Sequence, residues 1–160
     1  MSRGLPAPPK VMRLMDKRER RLLTAARMND VQGAKQLLEA GIDPDVEGPF
    51  GPVIFVALLL GHTMVARLLV EAGADLHVTD DKGWTPLHWA ARTGDMELVK
   101  AMIDADADPL AIDKVGDSPL DVLERCEHLR ALDMIRRRYP GEYLKWSGGR
   151  EGGPLDPSRG

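Results

Sequence analysis

Landmark residues of this chain recur at a nearly constant interval, and that interval constrains the fold more than any other feature. Gly61 and Gly94 are 33 apart, as are Gly83 and Gly116, while Gly41 and Gly73 are 32 apart and Ala74-Asp75 returns as Ala107-Asp108. A unit of about 33 residues with two short helices and a turn is too thin to bury its own apolar face, so it is stable only when stacked on neighbours of the same kind.

The stretch 80–91, D-D-K-G-W-T-P-L-H-W-A-A, shows how one unit is built. Thr85 suits an N-cap, its hydroxyl within reach of the Leu87 or His88 N–H. Pro86 then takes the first helical position, where its missing N–H costs nothing. Leu87 points to a core, the Ala90-Ala91 pair leaves room for a second helix, and Gly83 permits a tight turn upstream. The remaining chain aligns on this stretch. Asp16 opens a helix that Asn29-Asp30 breaks, and a second runs over about 31–40 to Gly41, a left-handed cap. After a loop with Gly48, Pro49, Gly51 and Pro52, helices are expected at about 53–60 and 63–72. They are followed by 85–93 with 96–105, and by a helix from Ser118-Pro119 to about Arg125 with another at 129–138. Asp106 stands where Gly41 and Gly73 cap earlier helices, so it is expected in the left-handed region at a cost on the order of 1 kcal/mol.

T-P-L-H-W-A-A followed by G-D-M-E-L-V, and the run Leu68-Leu69-Val70-Glu71-Ala72-Gly73-Ala74-Asp75, resemble the ankyrin repeat. The resemblance covers roughly 16–138. It implies an all-α solenoid of stacked helix-turn-helix units joined by β-turn or hairpin-like loops. Four repeats are expected at about 16–46, 47–78, 79–111 and 112–138, with the first and last as caps. An arm at 1–15 precedes them, and a C-terminal extension at 139–160, expected to be largely disordered, follows. Tyr143, Leu144 and Trp146 in that extension either fold back on the last helix pair or form a short linear motif.

The resemblance also implies a function, non-enzymatic binding of another protein as an adaptor or inhibitor. The family's contacts come from the turns and from the end of the first helix of each repeat, on the concave face. Carried over, they fall on Asp81, Lys82 and Trp84 in the third turn, Arg92 and Thr93 at the helix end, and Lys114, Val115 and Asp117 in the fourth turn. Trp84 is the leading contact, expected to be a turn-tip indole that the core does not need. Trp89 suits either core packing or contact. The second round departs from the pattern, with Pro52-Val53-Ile54-Phe55 in place of Thr-Pro-Leu-His and a stiff turn at 47–52. Phe50 there is either a hot spot or buried between turns. The family's histidine implies that His88 ties turn to helix.

Composition narrows the classes. Hydrophobic residues make up 43% and aromatics only 4%, which suits thin helical layers better than a sandwich or barrel. Residues 1–40 carry nine Lys/Arg against four Asp/Glu, residues 41–121 five against fifteen, and residues 122–160 eight against six. An acidic middle repels a phosphate backbone, which argues against nucleic acid and hints at a partner with a basic surface. No apolar run reaches membrane-spanning length, and the N-terminus lacks the apolar core of a signal peptide. With the single Cys126, which needs no oxidising compartment, this points to the cytoplasm, and a monomer is expected.

No metal, cofactor or catalytic set is expected. His62, His77, His88 and His128 are read as lying at different repeat positions, and no pair has the i, i+4 spacing of two ligands on one helix face. Cys126 lacks a histidine dyad, since His128 two residues on faces elsewhere. The rival readings are a metal- or thiol-dependent enzyme using His62, His88 or Cys126, and a scaffold that self-associates through basic ends and acidic middle. Basic clusters at 17–21 and at 136–138 are read as solvated caps, with a docking patch as the alternative.

Overall fold

In a computed structural model, residues 15–148 are described, so the expected arm, apart from Met15, lies outside the described residues. They form helices α1 (Lys17–Met28) and α2 (Val31–Glu39), a hairpin of β1 (Glu47–Gly48) and β2 (Gly51–Pro52), then α3 (Val53–Leu59) and α4 (Thr63–Glu71). These are followed by α5 (Pro86–Thr93), α6 (Met96–Asp104), α7 (Pro119–Arg125), α8 (Leu129–Arg138) and α9 (Pro140–Ser147). The chain divides into two units, 1–74 and 75–160.

In the first unit, α1 packs on α2 and α3, α2 on α4, and α3 on α4. Leu22, Ala25 and Ala26 of α1, Val53, Ile54, Ala57 and Leu58 of α3, and Val65, Ala66 and Leu69 of α4 are buried. Small alanines on the inner helices let neighbouring axes approach closely, and each buried Leu, Ile or Val contributes roughly 1.5–3 kcal/mol of apolar transfer. Asp16 caps α1 through a reciprocal box, accepting from the Arg18 N–H while Glu19 accepts the Asp16 N–H at 2.8 Å.

In the second unit, α5 packs on α6 and α7, and α8 packs on α6, α7 and α9. Leu87, Leu98, Met102, Leu120, Leu123, Leu132 and Ile135 are among its fully buried side chains. Helix ends follow the period. Asn29, Gly61, Gly94 and Glu127 each stop a first helix at positive φ, and Gly41, Gly73 and Asp106 (φ 64°) each stop a second. Glu127 is the most strained of these, because its side chain gains nothing from the left-handed region. The loops also repeat. Asp43, Asp75 and Asp108 accept the backbone N–H two residues on, at 2.9, 2.9 and 2.8 Å, the Asx turn that short carboxylates favour.

The first part of the extension, 140–147, is helical, and the part from 149 on, expected to be disordered, lies outside the described residues. Tyr139 has φ −129° instead of a left-handed stop, and Pro140 starts α9 at its first position. Tyr143 and Trp146 are buried, the indole N–H donating to Asp121 Oδ1 at 3.1 Å, while Leu144 stays exposed. Asp121, in the place of the motif histidine, also closes the α7 cap by accepting the Ser118 N–H at 2.6 Å. An aspartate reaches the cap as the imidazole does, and its second oxygen accepts a hydrogen bond from the extension.

Candidate interaction surface

Each turn of the second unit is built on one aspartate. Asp80 Oδ1 accepts from the Lys82 and Trp84 N–H groups at 2.9 Å, and Asp113 Oδ1 from those of Val115 and Asp117 at the same distance. The other oxygen of each takes an indole, with Trp89 Nε1 donating to Asp80 Oδ2 at 3.0 Å and Trp84 Nε1 to Asp113 Oδ2 at 2.8 Å. Burial by itself would raise the Asp113 carboxyl. The bonds from the Asp117 and Val115 backbone and from Trp84 outweigh it and hold the group below the usual carboxylate range.

Neighbouring turns are tied together. The Lys114 N–H donates to the Lys82 carbonyl at 3.1 Å, and Lys114 Nζ to the Asp81 carbonyl at 2.6 Å. Gly83 sits against this junction, where a Cβ would come within 3.0 Å of the Lys114 nitrogen. Trp84 meets Trp89 edge-on at 5.2 Å between ring centroids and stacks on His88 at 5.9 Å. Lys82 lies 5.8 Å over Trp84, and Arg92 lies 5.4 Å over Trp89.

Trp84 is therefore not the free indole the sequence suggested. It is half-buried and joins turn three to turn four. Trp89 is also half-buried, packed and hydrogen-bonded at once. Asp117 pairs with Arg125 while its carbonyl receives His88 Nε2, so much of it is committed to the fold. Asp81, Lys82, Arg92, Thr93, Lys114 and Val115 are exposed, Val115 to 81%.

His88 is fully buried. Its Nε2–H donates to the Asp117 carbonyl at 3.0 Å, while Nδ1 accepts the Thr85 N–H at 3.1 Å and lies 2.9 Å from the Thr85 hydroxyl. Burial lowers its pKa, against the opposing pull of that carbonyl and of Asp113, Asp80 and Asp117. The neutral Nε2–H tautomer satisfies both nitrogens. His62 and His128 are not at different repeat positions, as the sequence reading had them. Both sit just before a second helix and donate to a first-helix carbonyl 36 residues upstream, from His62 Nδ1 to Ala26 at 2.8 Å and from His128 Nε2 to Arg92 at 3.3 Å. Asp30 and Asp95 cap the corresponding helices in the other two rounds. Among the described residues no three His, Cys, Asp or Glu converge as metal ligands would, and Cys126 is exposed at the end of α7.

In the first unit the hairpin pairs Glu47 with Pro52 and Gly48 with Gly51, which leaves Pro49-Phe50 as its tip. Pro49 presets the turn and Gly51 closes it at φ 93°. Phe50 is 87% exposed, so it is not buried between neighbouring turns. Met28 at the end of α1, and Leu59 with Leu60 at the end of α3, are exposed as well. The sequence reading missed Met28, Leu59, Leu60 and the exposed Ile112. The period could have found the helix-end residues, because Leu59-Leu60 precede Arg92-Thr93 by 33 and hold the place filled by Arg27-Met28 and Arg125-Cys126 elsewhere.

A family model described as ankyrin repeats (3 copies) matches residues 22–113 and 53–136, well over half of the sequence. The chain belongs to the ankyrin-repeat family. Four helix pairs, α1/α2 to α7/α8, occupy the ankyrin-repeat region among the described residues. The chain is 35% identical over 108 residues to rat cyclin-dependent kinase 4 inhibitor B, covering 67% of this sequence and 83% of that protein. It is 34% identical over 110 residues to mouse protein phosphatase 1 regulatory subunit 12A, covering 68% of this chain but only 11% of that one. Human protein phosphatase 1 regulatory subunit 27 is 40% identical over 68 residues, which is 42% of this chain and 44% of that protein. No helix among the described residues is long and apolar enough to cross a membrane.

Proposed function

We propose that this ankyrin-repeat chain is a non-enzymatic binding module, an adaptor or inhibitor that covers a face of a partner protein with its turn tips and first-helix ends. One observation carries the reading. Of nine exposed large hydrophobic side chains among the described residues, six lie at those positions: Met28, Phe50, Leu59, Leu60, Ile112 and Val115. Side chains left over after packing would scatter instead, and apolar groups gathered at loop tips gain most from burial against another surface. Asp81 and the other carboxylates of 41–121 favour a partner surface that carries basic groups. The unpaired Cys126 is in keeping with a reducing compartment such as the cytoplasm.

The names of the kinase inhibitor and of the phosphatase regulatory subunits support a partner that is an enzyme or enzyme subunit. The kinase inhibitor is covered over most of its length, so its kind of action transfers on more of the fold than that of the larger phosphatase subunit. Inhibition by surface masking needs no catalytic group here, and His62 and His88 already spend ring nitrogens on backbone carbonyls. The test is calorimetry with purified cyclin-dependent kinase 4 and with protein phosphatase 1 catalytic subunit, using wild type, Phe50→Ser with Leu59→Arg, and Leu144→Ser as a control on α9. Binding that the double variant loses and the control keeps is expected for one of the two. Equal binding by all three proteins would misplace the surface, and binding by none would remove the enzyme-subunit assignment.

A further inference from the structure

Arg137 and Arg138 of the basic cluster that ends α8 are exposed, and they line a groove instead of standing alone at the helix end. Between α6 and α8 runs a groove of about 660 Å³ with Met96 and Met134 in its lining. Lys100, Arg130, Arg137 and Arg138 stand around these methionines. Asp104 holds Lys100 at 3.3 Å and Arg138 at 3.1 Å, and Asp133 holds Arg137 at 2.8 Å, which fixes three cations in place. Hydrogen bonding by Tyr139 lowers the pKa of Asp104, and hydrogen bonding by Arg136 lowers that of Asp133. Arg130 is exposed and has no ion pair among the described residues. Four cations therefore face two carboxylates, and the surplus surrounds an adaptable thioether lining.

We infer that this groove on the outer helices binds an acidic segment of a partner protein, with an apolar side chain seated on Met96 and Met134 and its carboxylates on Arg130 and Arg137. Charge complementarity selects that occupant. The chain's own residues 149–160 carry Arg150 and Arg159 against Glu151 and Asp156 and so supply no net negative charge. The methionines distinguish a peptide from a bare polyanion, because phosphate groups gain nothing from an apolar lining. Arginine pairs with carboxylates in a directional, forked geometry, so the segment would be held in register. This site is independent of the turn-tip surface.

The test uses the full chain and two fluorescein-labelled peptides of Asp and Glu, one interrupted by a pair of leucines and the other with serines in their place. The leucine peptide is expected to bind at least about tenfold more tightly. Arg130→Glu with Arg137→Glu should abolish binding of both. Met134→Ser should remove only the advantage of the leucines, and Phe50→Ser should change neither. Circular dichroism verifies that each variant is folded. Equal affinity for the two peptides would reduce the groove to a diffuse charge effect and overturn the inference. So would tighter binding to phosphatidylserine vesicles than to the leucine peptide, or a low-salt dimer that the Arg130/Arg137 variant dissolves, which would make a second copy the occupant.

Discussion

Replacing Trp84 with Phe separates the two roles this residue has been given. The phenyl ring keeps an aromatic surface toward Trp89 and His88 but deletes the one donor to Asp113 Oδ2, in a carboxylate only 9% exposed. An acceptor left unpaired at such a site costs about 1–3 kcal/mol. For a chain of this length that corresponds to a fall in Tm of about 2–12 °C. A double-mutant cycle with Asp113→Asn isolates the bond. The amide keeps one oxygen for the Val115 and Asp117 N–H groups and turns its NH₂ against the indole N–H, so Trp84→Phe should cost nothing in that background. Urea unfolding of the four proteins would then give a coupling of at least about 1 kcal/mol. The pH dependence has a definite sign. Asp113 is depressed in the folded state, so its contribution is complete above the ordinary value of 3.8 and is lost as pH falls below it. Wild type and Trp84→Phe should converge in acid. An unchanged neutral-pH stability, or the same loss with Asn at 113, would refute the bridge and return Trp84 to the free turn tip.

Three further outcomes follow from the repeat geometry. Because burial holds His88 neutral, its stabilising effect is complete above 6.5 and declines as pH drops below that value; His88→Gln should be less stable at neutral pH and show a flatter urea midpoint from pH 7.5 to about 5.5. Glu127→Gly should raise Tm by an amount equivalent to about 1 kcal/mol, and Asp106→Gly by no more than that, since aspartate tolerates positive φ better; a loss in either would contradict the left-handed assignment. Gly94→Ala would set a Cβ 2.4 Å from the His128 ring, whereas Gly61→Ala meets nothing within 4 Å. The first should therefore cost more in urea unfolding, by on the order of 1 kcal/mol.

The period, the helix pairs and the capping of α5 were legible because they depend on neighbours in sequence: Thr85, Pro86 and His88 lie within one turn, and the glycines mark where each helix must stop. What Trp84 does was not legible. Its partner Asp113 is 29 residues away, and an indole on a turn looks the same in sequence whether its N–H meets water or a carboxylate. The same holds for α9. Its Trp146 reaches Asp121, 25 residues upstream, an aspartate that in sequence was only a departure from the motif. His62 and His128 were open to comparison, but their shared role depends on carbonyls that only helix packing brings near.

Repetition also supplies an internal control that a single-copy fold lacks. Three rounds place Arg27, Arg92 and Arg125 in the last turn of their first helix, and the second places Leu59 there, 64% exposed. If that position served only helix stability, arginine would suit it better, since a cation complements the C-terminal dipole and a leucine facing water does not. The same round replaces the polar turn tip with Pro49-Phe50 and stiffens it with a hairpin. Two independent departures in one round, both toward exposed apolar surface, favour a shared cause outside the fold. Restoring the repeat with Leu59→Arg should therefore leave stability unchanged or slightly raised while weakening partner binding. A variant that lost stability instead would show that Leu59 belongs to the core of the first unit, and would remove it from the surface.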